Sequence, residues 1–535
     1  RQRLMCIRDR CVILIIKINY KGEEKLRENI LKKWSTKKCL ITIWGILVLI
    51  GTVFFILEKT RFVQLIDLDI LWHIKTGDWI LKNGYVPNVD VFSWHKGLNW
   101  IPHEWLYDVF LSVIYGSFGL QGIEILATTL LFARVAFVTI YNVIIKKEDI
   151  QGYSIFVVCM LIIMGYTWAV GRPLELTAII MLINLLIFVK KRKKITYYLT
   201  LGITGFLISN LHGGAIWTVF APIIVLLLVD LAYLWKDRKQ ESKDEHKEAF
   251  LTKLKAIGIG IIAGLINPHG IQVYNYCIKM LFTSASQATN TIAEWQPITF
   301  ISTIACLLFL VIFVSFAFDK KIYQLDKESI SKLLIICFWG VGMLRYCRLT
   351  PIFTFTVLLW GYEFVKNFII YIVNSFSLNK IFNILKIVTT ICGVIFIILT
   401  MIMGGKWFNY YFKHDEETLM KAQFPYKCIE YLKENNIKDK IYNDNVWGNW
   451  MLFNDIPTFI DGRCDPFVKE FSPGNNQFVE VANTKTLDAY LYIFDKYDIQ
   501  YVFLQNNKDI RILLESTEQW ETVVIEDMGM ILKRK

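Results

Sequence analysis

Three carboxylates, a histidine and two tryptophans fall within thirteen residues, Asp67-Leu-Asp-Ile-Leu-Trp-His-Ile-Lys-Thr-Gly-Asp-Trp79. A helix over 69–83 puts Asp69 and His73 one turn apart on the same face. Carboxylates close to a bilayer cost free energy unless they are paired, solvated or used. Taken alone, the stretch reads as a solvated interfacial loop anchored by Trp72, Trp79, Trp94 and Trp100. Similar polar groups recur between apolar runs farther along: His103-Glu104, Gly171-Arg172-Pro173-Leu-Glu175, Asn210-Leu-His212-Gly-Gly, Asn267-Pro-His269-Gly, Glu294-Trp-Gln296-Pro, and Arg345 with Arg348. Singly, each reads as a helix cap, a snorkelling side chain or a turn. If one side of a membrane holds them all, they form a cavity with carboxylates on one wall and Arg and His opposite. There a carboxylate can take a proton from a nucleophile while cations hold a departing phosphate.

Whether they share a side depends on the elements that carry them. Of 535 residues 54% are hydrophobic and 20% charged, and the mean hydropathy of +0.41 is that of a membrane protein. Eleven runs reach or approach the length of a crossing, at 39–57, 122–145, 153–169, 173–190, 195–212, 214–235, 252–266, 298–319, 331–346, 349–373 and 383–404. Lys and Arg gather between these runs, so the net charge of +12 speaks for topology and not for a nucleic-acid partner. With the basic segment ending Lys37-Lys38 inside, eleven spans also keep Lys146-Lys147, Lys190 to Lys194, the loop from Lys236 to Lys255 and Lys320-Lys321 inside. A twelfth span at 105–120 would break that pattern. This segment, which carries Asp108, therefore reads as an interfacial or re-entrant helix. Loop 58–120 and residues 405–535 then face away from the cytoplasm, on the side of the polar motifs.

From Tyr426 the composition becomes that of a soluble α/β domain, with helices at 427–436 and 487–497 and strands at 440–442, 458–460, 501–504 and 523–526. The eleven cysteines show no CxxC pair and no metal-ligand spacing to His, and most read as packing residues, with Cys428 and Cys464 set apart in the long polar region. Residues 1–10, where the first Met is Met5, are set apart from the fold as extraneous, and the run Cys11–Ile16 has no small-residue cleavage site, so no cleavable signal peptide is expected.

The order of these motifs resembles the GT-C glycosyltransferases, which include protein O-mannosyltransferases, aminoarabinose transferases and oligosaccharyltransferases. An uncharacterised bacterial branch carries D-x-D-x-x-W-H-x-x-x-G, P-x-x-D-x-F-S and H-E-W-L, which stand here as Asp67 to Gly77, Pro87 to Ser93 and His103 to Leu106. Its later signatures R-P, N-x-H-G-G, N-P-x-G, E-W-Q-P and D-G-R-x-D also follow, the last as Asp461-Gly-Arg463-Cys-Asp465. The fold expected is a polytopic α-helical membrane protein of GT-C type: a cytoplasmic segment 1–38, a transmembrane domain 39–404 of about 11 transmembrane helices with the large extracytoplasmic loop 58–120, and a C-terminal soluble α/β domain 405–535.

The resemblance implies inverting transfer of a hexosyl or pentosyl group from a polyprenyl-phosphate donor carried in the membrane lipid bilayer to an extracytoplasmic glycan, lipid or protein, with catalysis in the first outer loop. Asp69 would be the base by matching the loop's acidic motif, with Asp67 and Glu104 as the other candidates. Arg172, Arg345, Arg348, His212 and His269 would bind the donor phosphate, and His73, His103, Glu294, Asp461 and Arg463 would line the substrate site. Asp67 and Asp69 could hold a divalent ion or share hydrogen bonds; no other cofactor is implied. The mannosyltransferases have an adjacent Asp-Glu pair and His-Pro-Pro where this chain has His103-Glu-Trp, which leaves base and acceptor open. A transporter or flippase of a lipid-linked or anionic substrate, and a non-catalytic envelope scaffold, are the competing readings. The first conflicts with polar residues gathered at one face and with the lack of an inverted repeat; the second leaves the first-loop carboxylates without a use.

Overall fold

The computed structural model of the chain describes residues 36–63, 67–163, 171–282, 292–297 and 326–535. The expected span at 298–319 and the basic segment before Thr36 lie outside the described residues, and the span at 153–169 is described as far as Ile163. Apolar runs in a bilayer must satisfy their backbone groups internally, and helices dominate accordingly. In chain order they are α1 (Thr36–Val63), α2 (Leu68–Asn83), α3 (Trp105–Thr139), α4 (Ile150–Ile163), α5 (Pro173–Phe188), α6 (Lys194–Leu211), α7 (Ile216–Lys236), α8 (Lys243–Ala263), α9 (Gln272–Phe282), α10 (Lys327–Arg345), α11 (Thr350–Ser375) and α12 (Asn379–Lys413). Among the described residues five helical stretches are long and apolar enough to cross a membrane: Cys39–Leu57, Trp105–Ile145, Gly213–Lys236, Cys347–Ser375 and Asn379–Lys413. Ile150–Leu161 and Pro173–Phe188 are apolar but shorter. The runs at 195–212, 252–266 and 331–346 lie on α6, α8 and α10, which do not meet both conditions; α8, for one, begins with the charged Lys243-Asp-Glu-His-Lys247.

Helix α2 starts because the Asp67 carboxylate takes the Asp69 N–H at 3.1 Å, and it stops at Gly84, whose left-handed backbone (φ 76°) returns its N–H to the Ile80 carbonyl at 2.8 Å. Of its buried residues, Ile70 and Ile74 pack with Tyr107 and Leu111 of α3, and Leu71 joins the core of the C-terminal domain. The two helices approach so closely that a Cβ on Gly77 would lie 2.0 Å from the Asp108 carbonyl oxygen, so only glycine fits there. The segment 105–120, expected as a separate helix, instead runs into the next span as α3, interrupted at Gly119 (φ 60°, ψ −156°). Glu416 closes the break, accepting the Leu120 N–H at 3.2 Å and the Tyr115 hydroxyl.

The C-terminal domain adds α13 (Glu416–Lys421), α14 (Tyr426–Glu434), β1 (Ile441–Asn443), α15 (Asn445–Phe453), α16 (Gln477–Asn483), α17 (Leu487–Lys496), β2 (Tyr501–Gln505), α18 (Lys508–Glu515), β3 (Trp520–Ile525) and β4 (Gly529–Arg534). The sheet order is β1-β2-β4-β3; β1 runs parallel to β2, and the other two pairs are antiparallel. The strand expected at 458–460 does not join this sheet. Thr458 instead makes an isolated parallel bridge to Ser93, taking the Trp94 N–H on its carbonyl and donating its own N–H to Phe92. That segment's extended, apolar character serves a seam between domain and first loop. The domain core includes Phe424, Trp450, Phe503 and Ile531 and also Leu71 of α2 and Leu120 of α3. At about 1.5–3 kcal/mol per fully buried large apolar side chain, this shared centre fastens the domain over the first loop.

Candidate active site

Arg172 precedes α5 in extended backbone, with Pro173 starting the helix. Its place is fixed from both sides: the Gly171 carbonyl accepts the Tyr107 hydroxyl, and Glu175 pairs with Arg134 of α3 at 2.5 Å. The Arg172 guanidinium contacts both oxygens of Asp67 (Nη2 to Oδ1 2.8 Å, and Nε to Oδ2), Asp69 Oδ2 at 3.0 Å and Glu294 Oε1 at 2.8 Å. Asp69 Oδ1 accepts from Asn449 Nδ2 at 3.1 Å. The Asp69 side chain is 27% exposed, against 6% for Asp67. Burial pushes the Asp69 carboxyl up, Arg172 pulls it down, and Asp67 and Glu294 push it up again, leaving it at about 6. At Asp67 burial acts the same way, but the Arg172 charge and hydrogen bond together with the Asp69 N–H outweigh it and hold the carboxyl below its ordinary value.

A second cluster begins at His73, on the face of α2 that carries Asp69. His73 Nδ1 lies 2.6 Å from Asp108 Oδ1 and its Nε2 lies 3.6 Å from Glu104 Oε2. Glu104 Oε1 is 3.1 Å from His212 Nε2 and 3.8 Å from His103 Nε2, and His212 Nδ1 meets Thr177 Oγ1 at 2.8 Å. His103 stacks on Tyr276, whose hydroxyl donates to Asp465 Oδ1 at 3.1 Å. Burial would raise the Glu104 carboxyl, but the hydrogen bond and charge of His212, with His73 and His103, hold it below its usual range. Burial lowers His73, and Asp108, Glu104 and Asp69 more than offset it. Burial takes His103 down to about 4 and Asp465 up to about 8.

The two clusters differ in their fitness for a divalent ion. Arg172 already bridges Asp67 and Asp69, so that pair does not fit a cation. His73, Glu104 and Asp108 are all buried, offer three ligand atoms within 4.8 Å of one another, and leave Asp108 Oδ2 without a hydrogen-bond partner among the described residues. One imidazole and two carboxylates form a suitable donor set.

The remaining expected residues lie elsewhere. Asp461 and Arg463 do not face the cavity: Arg463 pairs with Asp461 at 2.7 Å and Asp90 at 2.6 Å, walled in by Phe92, Trp100 and Phe467. Among the described residues Arg345 and Arg348 make no ion pair with the carboxylates, and their guanidinium groups lie over Tyr346 and Trp295 at 5.1 and 4.7 Å. Both line one end of a groove of about 770 Å³ walled by apolar side chains of α7 and α10, among them Trp217, Leu228, Leu334 and Phe338. Trp295 joins the two regions, because it also follows Glu294 in the chain. His269 sits in a turn, its N–H on Asn267 Oδ1 at 2.8 Å, and shares no contact with the cluster among the described residues. Asn449, Asp108 and Tyr276 were not expected at the site. A lone acid in the apolar run 105–120 signalled Asp108; nothing local marked Asn449 or Tyr276.

No family model and no curated protein matches the chain. Among solved structures it is similar to the Archaeoglobus fulgidus oligosaccharyltransferase tethered through a disulfide to an acceptor peptide containing the NVT sequon, with 12% identity over 88% of this chain and 70% of that one and a TM-score of 0.52. The apo form of the same enzyme is similar at 11% identity over 86% and 69% of the two chains, with a TM-score of 0.45. The likeness to the peptide-tethered structure is one of fold, and it agrees with the helical GT-C architecture the motifs imply.

Proposed function

We propose that the chain is a membrane glycosyltransferase that moves a sugar from a polyprenyl-phosphate carrier to an extracytoplasmic glycan, lipid or protein acceptor with inversion, using Asp69 as general base. The observation that carries this reading is Asp69: a solvent-reachable carboxylate, ionised above about pH 6, with each oxygen holding a single polar contact among the described residues. Such a group accepts a proton efficiently near neutral pH. As it does so, the acceptor's nucleophilic atom attacks the anomeric carbon, the bond from that carbon to the phosphate oxygen breaks, and the electron pair leaves with the phosphate. Asp67, doubly bound by Arg172, stays ionised and orients the guanidinium. The apolar groove ending at Arg345 and Arg348 suits an isoprenoid chain with its phosphate at the cations, and Trp295 places the sugar beside Glu294 and Asp69. His73, Glu104 and Asp108 would hold a divalent ion, which when bound would add positive charge to offset that of the departing phosphate. Its presence is checked by elemental analysis of the purified protein.

The matched fold belongs to an enzyme whose structure holds an acceptor peptide, which supports a peptide among the acceptors to test. The experiment is turnover of a panel of radiolabelled undecaprenyl-phosphate hexoses and pentoses by the purified chain with membrane extracts as acceptor. Consumption of one lipid, with label appearing in an acceptor, is expected; movement of intact lipid across vesicles without consumption would identify a flippase instead. The topology proposed places loop 58–120 and residues 405–535 outside. Single cysteines at the exposed Asn83 and Lys508 should react with an impermeant thiol reagent in intact cells and one at Arg192 should not; the reverse pattern would invert the chain.

A further inference from the structure

We infer that Asn449, in the C-terminal domain, is a positioning residue that keeps the Asp69 carboxylate turned for proton transfer. The inference deepens the reading of Asp69 as base and rests on it. Asn449 is buried on α15. Its side-chain oxygen accepts the Gly462 N–H at 2.7 Å, so the other end of the amide is the NH₂, which donates to Asp69 Oδ1 at 3.1 Å. The Gly462 turn that sets this orientation is itself fixed. Asn443 donates to the Ile460 carbonyl at 2.7 Å and accepts the Phe459 N–H at 2.7 Å. A Cβ on Gly448 would lie 2.2 Å from the Ile460 carbonyl oxygen, and one on Gly462 2.6 Å from Asp69 Oδ1. Helix, turn and carboxylate therefore meet without intervening atoms.

The neighbouring Asp67 gives both oxygens to Arg172 and takes the Asp69 N–H on Oδ1 as well. At Asp69 the two oxygens are divided: Asn449 holds Oδ1 while Arg172 meets Oδ2. Each oxygen then keeps a lone pair for the acceptor's proton, since a carboxylate offers about four acceptor positions.

The test uses Asn449→Ala and Asn449→Asp in the full chain, with kcat, KM and the pH profile read for consumption of the radiolabelled undecaprenyl-phosphate sugar. Losing a hydrogen bond to the charged form raises the carboxyl, so in Asn449→Ala the acid limb of kcat/KM should move up by about half to one pH unit, with kcat about 10-fold lower and KM within about 2-fold. Asn449→Asp keeps the shape and the Gly462 contact but sets a second carboxylate against Asp69, so its acid limb should move up further; this isosteric variant decides the matter if the alanine variant does not fold. Wild-type kcat and acid limb in both variants, with Asp69→Asn inactive, would overturn this inference alone. Full activity in Asp69→Asn would overturn it together with the assignment of the base.

Discussion

Arg463 and Arg172 each gather carboxylates from distant parts of the chain, yet their surroundings differ in two respects. Arg463 meets two, Asp90 and Asp461, and all three side chains are at most 1% exposed, with the guanidinium 4.5 Å over the Trp100 ring. Among the described residues Arg172 meets three, Asp67, Asp69 and Glu294, and is 20% exposed. In the closed cluster burial would raise Asp90, but Arg463 and the Ser93 hydrogen bond outweigh it and the carboxyl ends below its ordinary value. In the open one, burial and the surplus of negative charge leave Asp69 at about 6. The same residue types thus make a lock where every lone pair is occupied and water is kept out, and a proton acceptor where charge is left over and an oxygen stays within reach.

The largest effect expected is in catalysis. Asp69→Asn should lower kcat by about 10²- to 10⁴-fold, while its melting temperature at pH 7 stays at or above wild type. The sign follows from linkage: a carboxyl at about 6 when folded and about 3.9 when unfolded binds its proton more tightly in the native state, so its ionisation costs stability as pH rises from about 4 to 6, and the amide removes that cost. A variant both inactive and unstable would put Asp69 in the same class as Asp90. Arg463→Ala should do the opposite, losing about 3–5 kcal/mol of stability by leaving two buried carboxylates unpaired, measured by denaturant or thermal unfolding. If it melts like wild type, the lock is not one.

Arg348 offers a third setting for an arginine, against an aromatic ring instead of a carboxylate among the described residues. If it holds the donor phosphate, Arg348→Ala should lower kcat/KM by about 30- to 1,000-fold with little change in melting, and Lys should rescue it poorly. An unchanged kcat/KM would remove the groove from the donor site. The smallest effect is in pH dependence. Wild-type kcat/KM should fall with unit slope below about pH 6 as Asp69 takes its proton. Asp90, depressed when folded, contributes stability that is present above its unfolded value of about 3.9 and is lost as pH falls through its folded value. An acid limb displaced below the ordinary carboxylate range would argue for Asp67 or Glu104 as base.

Much of the open cluster was legible because its members announce themselves locally. Asp67 and Asp69 stand out as charges beside apolar runs, and Arg172 and Glu294 as polar residues recurring between spans. What hydropathy and spacing do not carry is which charges close on one another. Arg172, Arg345 and Arg348 read alike, yet only Arg172 enters the carboxylate cluster; Asp461 and Arg463 read as substrate-facing, yet turn inward to Asp90. The segment at 458–460 has the composition of a strand, and its partner proved to be the first loop, a choice made by tertiary contact rather than by propensity. Asn449, an amide between two tryptophans, has a local pattern indistinguishable from a packed helix face.

The contact between Asp69 and Asn449 spans 380 residues, which sets a timetable for biogenesis. A ribosome adding roughly 5 to 20 residues per second needs on the order of 20 to 80 s to pass from one to the other. During that interval the nascent chain carries its acids and Arg172 without the amide that contacts Asp69. If Asp69 is the base, competence arrives only with the C-terminal domain, and a chain ending before Asn445 should insert and yet leave undecaprenyl-phosphate sugars intact. Measurable turnover by that truncated chain would show that the early-made acids suffice.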